Sequence, residues 1–458
     1  MTAQPPFGRA VPGNDWSALD GVQPAEPPFV SVVVVHYEQH DDLARLLRAL
    51  DAQTHPADRL EVVVVDDGSA VPPTVPPGVR LIVHEDRGFR ASAARNAGVA
   101  ATTGEVLCFL DADTAPEPGY VSAMTRLPAL APEAVTVGHR RHAALSALST
   151  PAVPALPIEV AIPIELAGPA HELPEPAWLA EAYAASRDLL DADERSYRYL
   201  IGAVLACSRW FFDELGGFDE TFVEYGGEDW DWAHRAWLAG AVLAHVPEAV
   251  AWHNGPDAAI RESDDPRRAH EKKTAETLAL LSRITVPGAT GRGLAPAVPD
   301  VVVRLPDGPP AALYRCVDTV LRLLPTAIVV VPLDAGHLFA HDSRVTTDGG
   351  TALRARTTVE ASALFAVAEA DLETVGSALT DASTRVGRGA LAEITLEGDG
   401  ESDGESGVEL TVTSSRSRAR MRRWGHLDGW TTERRSTPVR PADPLADLAA
   451  HLGGWAEL

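Results

Sequence analysis

Two stretches constrain this chain more than any others: FVSVVVVHY at residues 29–37 and RLEVVVVDDGS at residues 59–69. Each is an unbroken β-branched run that ends in a polar cluster. A strand that is apolar on both faces needs cover on both faces, as in a parallel sheet between helices. The connecting segment 40–53 places leucines at 43, 46, 47 and 50, which is helical spacing. The alternation continues with a strand at 78–85, an Ala-rich helix at 88–102 and a strand, GEVLCFLDAD, at 104–113. It predicts an α/β domain with a mostly parallel sheet and right-handed crossovers. Ligands of such sheets bind beyond the carboxyl ends of the strands. The polar clusters 36–38, 66–69 and 111–114 all fall at that edge.

With 458 residues the chain suits two domains. Residues 1–28, rich in proline and small residues, read as a flexible N-terminal arm. After a proline-rich stretch (148–176), a helix is expected over 177–194. Residues 198–220 read as a strand and a short helix closed by Gly216-Gly217. YGGEDWDWAHRAWLAG (225–240) reads as a helix with an acidic start, and AVLAHVP and AVAWHNG as two short strands. This domain spans 29–285. Residues 286–299 read as a linker. A smaller C-terminal α/β domain of open role occupies 300–458. Its segments DVVVRLP, ALYRCVDTVLRLL and AIVVVPLD repeat the rhythm of 29–67, as a degenerate copy of that unit would. The acidic run 397–407 reads as a solvated loop.

The formal charge of −26 argues against nucleic acid or an anionic membrane as the main partner. Cys108, Cys207 and Cys316 sit in apolar runs without metal-ligand spacing, so buried thiols are expected. The first residues lack the charged start and apolar core of a signal peptide, and no run reaches 18 apolar residues. A cytoplasmic chain without an integral membrane segment is expected; peripheral membrane contact and a homo-oligomer stay open.

The chemistry centres on FLDADT. Asp111 and Asp113 lie two apart at a strand end, so both side chains take one face. A calcium loop counted from Asp111 needs glycine sixth and glutamate twelfth; Pro116 and Ser122 stand there, and that reading fails. A haloacid-dehalogenase-type phosphatase would use Asp111 as phosphoryl acceptor. It needs a lysine ahead of a later acidic pair, whereas the only lysines, Lys272 and Lys273, follow Glu228 and Asp229, and several strands precede the aspartates. The third reading is a nucleotide-sugar site whose divalent ion bridges a diphosphate. A second acidic cluster, GGEDWDW, bears on the choice. In isolation, acids at a helix start are capping residues. The flanking Gly226-Gly227 and the aromatics Tyr225, Trp230 and Trp232 suit close approach and stacking of a sugar, and a carboxylate there can take a hydroxyl proton.

SVVVVHYEQ, VVVVDDGS, RNAG, FLDADT, GGFDE and YGGEDWDW occur in this order. Together they resemble the GT-A-fold glycosyltransferases of family 2, especially members with a galactosyltransferase-like GGFDE–GxED segment, over roughly residues 29–285. The resemblance implies a GT-A (Rossmann-like) nucleotide-sugar-binding domain. It also implies metal-dependent, inverting transfer from a nucleotide-diphosphate donor, a UDP-sugar by preference, to a glycan, lipid-linked or small-molecule hydroxyl. By the same resemblance, His36, Tyr37, Glu38, Asp66, Asp67, Arg90, Arg95, Asn96 and Asp111 would hold the donor. Asp113 and His253, with Asp111 as a further candidate, would hold Mn2+ or Mg2+. Asp229 would be the general base with Glu228 beside it, and Tyr225, Gly227, Trp230 and Trp232 would face the acceptor.

Three features depart from the family: the proline-rich loop 70–78, the stretch 139–176, and the basic GHRRH (138–142), which reads as a solvated face or an acceptor subsite. Alternatives from other classes remain. They are the phosphatase, a pyrophosphorylase (which would want a Gly-rich, Lys-containing loop where HYEQHDDL stands) and a non-catalytic sugar-nucleotide-binding relic.

Overall fold

The computed structural model describes residues 5–145, 172–223, 226–256, 266–286, 289, 298–350, 355–398, 407–445 and 448–452. The chain divides into two units, Met1–Trp237 with Ala241–Leu280, and Leu238–Gly240 with Leu281–Leu458. Most of the expected linker and of the acidic run lies outside the described residues.

The strands of the first unit are β1 (Val30–His36), β2 (Leu60–Asp66), β3 (Arg80–Val83), β4 (Val106–Asp111), β5 (Thr114–Pro116), β6 (Ala134–Ala143), β7 (Glu172–Leu173), β8 (Val204–Ser208) and β9 (Val242–Asn254). They form one sheet in the order β3-β2-β1-β4-β8-β6-β9-β5, with β7 on β6. The run β3-β2-β1-β4 is parallel, β8 is antiparallel to β4 and β6, and β6 and β9 are parallel. The helices are α1 (His40–Asp51), α2 (Ala91–Ala100), α3 (Tyr120–Leu130), α4 (Ala177–Ala185), α5 (Arg209–Glu214), α6 (Glu228–Leu238) and α7 (Pro266–Leu281).

The valines of β1 and β2 are buried except Val35 and Val62, which are partly so, and α1 buries the four leucines that its spacing singled out. Helix α2 is Ala-rich because it lies close on the sheet: a Cβ on Gly98 would come within 2.4 Å of Val33 Cγ1. The α/β class and the parallel core expected from the β-branched runs are therefore present.

Three local expectations are corrected. Residues 5–28 are not a free arm. Val11 and Leu19 bury against Leu127, Ala131 and Val242, and Asn14 donates to the carbonyls of Leu189 (2.6 Å) and Leu243 (2.9 Å). Its few apolar residues are spaced to reach one patch, which outweighs its proline content. The helix expected over 177–194 stops at Ala185, because Arg187, Asp188 and Leu189 take left-handed backbone angles. AVLAHVP and AVAWHNG are one strand, β9, whose pairing with β6 shifts near Gly138.

The second unit contains β10 (Val301–Arg304), β11 (Ile328–Val330), β12 (Val345–Thr346), β13 (Thr357–Ala361), β14 (Phe365–Ala366), β15 (Leu391–Gly398), β16 (Glu409–Ser414), β17 (Thr431–Thr437) and β18 (Arg440–Pro441). Its helices are α8 (Pro310–Leu323), α9 (Leu372–Arg385), α10 (Ser415–Trp424) and α11 (Leu448–Leu452). Its sheet runs β12-β11-β10-β13-β16-β15-β17, and β14 pairs separately with β18. Its core is built from α8, α9 and the inner strands. All three cysteines are free and buried, and burial pushes their thiols up. Among the described residues no helix is long and apolar enough to cross a membrane.

Candidate active site

The carboxyl ends of β1, β2 and β4 meet the start of α6 and the end of β9, and the ionisable residues gather there. At the end of β4 the two aspartates of FLDADT part company. Asp111 turns to Arg95 of α2 (Oδ1–Nη2 3.1 Å), and the other arm of Arg95 reaches Glu228 at the start of α6 (Nη1–Oε1 2.9 Å). Arg95 is almost wholly buried. Burial alone would weaken its charge, but Asp111 and Glu228 hold the proton on it and raise its pKa. Gly202 provides the room: a Cβ there would lie 3.0–3.2 Å from the guanidinium. Burial raises Asp111, opposed by Arg95.

Asp113 belongs to a different group. Its Oδ2 lies 3.2 Å from His253 Nε2 and accepts from Gln39 Nε2 at 3.1 Å. Strand register makes the first contact: β5 pairs antiparallel with β9 so that Thr114 faces His253. Burial would push Asp113 up, but the bonds from His253 and Gln39, with the charge of Arg140, hold it below the usual carboxylate range. His253 Nδ1 lies 3.3 Å from the Gly255 carbonyl. Moving the ring proton from Nε2, where it bonds Asp113, to Nδ1, where the Gly255 carbonyl accepts it, would free the Nε2 lone pair beside Asp113 Oδ2 for a cation. The carboxylate and imidazole therefore fit a divalent ion. Among the described residues no three His, Cys, Asp or Glu side chains converge on one point. Asp111, expected as donor contact or further metal ligand, gives Oδ1 to Arg95 as its counter-charge.

Asp229 occupies the first turn of α6. Its Oδ2 accepts the Gly202 N–H (3.0 Å) and its Oδ1 the N–H of Trp230 (2.8 Å). Burial, reinforced by the negative charge of Glu228, pushes it up to about 7. Glu228 gives one oxygen to Arg95, and its Oε2 is buried without a hydrogen-bond partner among the described residues.

Several other expected residues serve the scaffold instead. His36 is fully buried and bonded through Nδ1 to Asp66 Oδ1 (2.7 Å); Asp66 also accepts from Ser69, so neither faces a ligand. Burial lowers His36 in spite of Asp66. Glu38, at φ 58°, ties the loop after β1 to that after β2 by accepting the Ala70 N–H at 2.6 Å. Asn96 holds the GGFDE turn, with Nδ2 on Phe218 O and Glu220 Oε1 and Oδ1 on Phe218 N–H, each 2.9 Å. Trp232 is completely buried against Phe212 and Phe218, and so does not face an acceptor. Gly227, at φ +94°, is buried against Phe222 and Leu280; it serves the turn into α6. The acidic helix start invited a surface reading, but its apolar period points these two inward.

The donor candidates left at the edge are Tyr37, half exposed, and Asp67 and Arg90. Asp67 accepts the Arg90 N–H at 2.8 Å, and burial raises its pKa against that bond. Arg90 Nε has no hydrogen-bond partner among the described residues. Trp230 is partly exposed, with Lys273 Nζ 4.9 Å from its ring centre. Tyr225 lies outside the described residues.

Sequence reasoning missed Gln39 and Gly202. It named GHRRH, which contains Arg140, as a solvated face or an acceptor subsite. In the structure β6 carries His142 beside His253 (ring centres 4.9 Å), with Arg140 two residues earlier on that face. On the other face Arg141 lies over Trp252 and His139 pairs with Glu175 at 2.9 Å.

Residues 31–151 match the model of glycosyl transferase family 2, and residues 191–252 that of the N-terminal domain of galactosyltransferase. Chondroitin synthase of Escherichia coli is 27% identical over 262 residues, 54% of this chain and 38% of that protein. The pre-mycofactocin glycosyltransferase of Mycobacterium tuberculosis is 27% identical over 238 residues, 49% of this chain and 42% of that protein. The chain thus spans well under half the length of either relative. A mannosyltransferase of Pyrobaculum calidifontis, solved in complex with GDP-Man and Mn2+, aligns over 58% of this chain and 68% of its own at 20% identity and a TM-score of 0.39.

Proposed function

We propose, from the premise that residues 31–151 belong to glycosyl transferase family 2, that this chain moves a sugar from a nucleotide-diphosphate donor to an acceptor hydroxyl with inversion at the anomeric carbon. The observation that carries the reading is the separation of two carboxylates by environment. Asp113 is held ionised beside His253, and Asp229 is raised to about 7. One carboxylate suits cation binding and the other proton abstraction near neutrality.

Asp113 and His253 would hold Mn2+ or Mg2+, which when bound supplies charge to the departing diphosphate. Asp67 and Tyr37 take the nucleoside, and Arg90 lies within reach of the phosphates. The buried Arg95 keeps Asp111 and Glu228 fixed on its two arms. Asp229, steadied by the Gly202 and Trp230 N–H groups, accepts the acceptor's hydroxyl proton as that oxygen attacks. Trp230 offers an aromatic face to the acceptor, whether glycan, lipid-linked or small molecule. The donor nucleoside is taken as uridine, following the family resemblance.

Thermal denaturation with a panel of nucleotide sugars, with and without MnCl2, tests this. A true donor at a hundredfold excess over Kd stabilises by about 2.7 kcal/mol, and only with the metal. Unchanged melting across the panel would remove the reading.

A further inference from the structure

The order of the second sheet repeats that of the first. Taken in chain order, β10, β11, β12, β13, β15, β16 and β17 stand where β1, β2, β3, β4, β6, β8 and β9 stand. Every neighbouring pair also runs in the same sense: four parallel pairs answer four, and two antiparallel pairs answer two. The short crossed ladder recurs too. β5 lies antiparallel to the end of β9, and β14 lies antiparallel to β18, just after β17. Connection rules narrow the orders that seven strands can take, but agreement in order, in sense and in register together is not expected of unrelated units.

The agreement extends to single residues. Val106 pairs with Ser208, whose hydroxyl caps α5; Thr357 pairs with Ser414, whose hydroxyl caps α10. The same numbering shift that carries Val106 onto Thr357 carries Thr114 onto Phe365, and Thr114–His253 is answered by Phe365–Pro441. The bond from Asn254 N–H to Asp113 O (2.9 Å) is answered by Ala442 N–H to Leu364 O (2.9 Å). Helix α1 buries residues 43, 46, 47 and 50, and α8 buries 313, 316, 317 and 320 at the same spacing.

On this correspondence Asp111 falls on Ser362, Asp113 on Leu364 and His253 on Pro441. We propose that the second unit is a copy of the first unit's sheet whose reaction centre has been closed, so that the chain carries one donor site rather than two. Leu364 is buried and packs so closely on the loop after β10 that a Cβ on Gly308 would come within 2.4 Å of it. An apolar side chain thus fills the place of the metal-binding carboxylate. The base is missing as well. In the first unit α6 lies between α5 and β9, whereas only residues 425–430 join α10 to β17, too few for a helix of that length.

The inference rests on the reading of the first unit as the donor site, and a count of sites tests both. The full chain is titrated calorimetrically with UDP and, separately, GDP in excess MnCl2. The expected result is one nucleotide per chain, weakened at least tenfold in Asp113→Asn and Asp113→Ala that melt like the parent, and unchanged in Ser362→Ala. Two nucleotides per chain, one of them lost in the folded Asp113 variants, overturns the closed second site and leaves the transferase reading standing. A single nucleotide that survives both folded Asp113 variants removes Asp113 from the donor site and overturns the correspondence drawn from it. No binding of either nucleotide overturns the first-unit reading and this inference with it.

Discussion

At the scale of single residues, two carboxylates of one type do different work because their surroundings differ. Asp229 is raised by burial and by its negative neighbour Glu228 against two N–H bonds, so its folded pKa lies above its unfolded one. Activity should therefore rise with pH, and below an inflection near 7 it should fall about tenfold per pH unit. A rate profile flat from pH 5.5 to 8.5 would exclude Asp229 as the base. The sign for stability is the reverse. This group's contribution is full below its unfolded value near ~3.9 and declines as pH rises through about 7. Arg95 has the opposite balance. Replacing it by Met leaves the buried carboxylate of Glu228 without its partner, and chemical denaturation should register a loss of about 3–5 kcal/mol. Most of these residues were legible in the sequence as types and spacings. Their division of labour was not: nothing in FLDADT says that one aspartate turns to an arginine and the other to a histidine.

At the scale of elements, the site is made by pairing rather than by proximity in sequence. His253 reaches Asp113 because β5 and β9 pair in one register, and Gly202 reaches Asp229 from the loop before β8. Such partners carry no local signal, which is why Gln39 and Gly202 went unread, and Arg140 was read only as part of a basic segment, while the strand-end aspartates stood out. The opposite error arose in α6 and α2. Trp232 and Asn96 lie in recognisable motifs, but a motif includes the residues that hold its shape. Asn96 and Gly217 form one such support: Gly217 has φ +73°, and a Cβ there would lie 2.7 Å from Asn96 Oδ1. Gly217→Ala should therefore cost at least ~1 kcal/mol in equilibrium unfolding. A neutral substitution would mean that the turn gives way easily. His253→Ala should weaken Mn2+-dependent nucleotide binding ten- to a hundredfold, as titration at a temperature where the variant is folded would record, and should lower metal-free melting as well, since it empties a buried site beside Asp113.

At the scale of the whole molecule, the β-branched runs at 29–37 and 59–69 dictated the architecture, and the fainter runs after residue 300 carried the same rhythm. The repeat was only suggested by sequence because its strands are shorter and its polar ends have been replaced; strand order and register make it visible. The central claim is that chemistry is confined to one place, with Asp229 taking the acceptor proton. The most direct test is nucleoside-diphosphate release from the donor identified by thermal shift, measured for the parent and for Asp229→Asn in Mn2+, together with donor affinity. The account predicts a loss of about 10²–10⁴-fold in turnover, with the donor dissociation constant held within about threefold, because Asp229 touches neither the metal pair nor the nucleoside loops. An Asp229→Asn enzyme that turns over at the parent rate would contradict it.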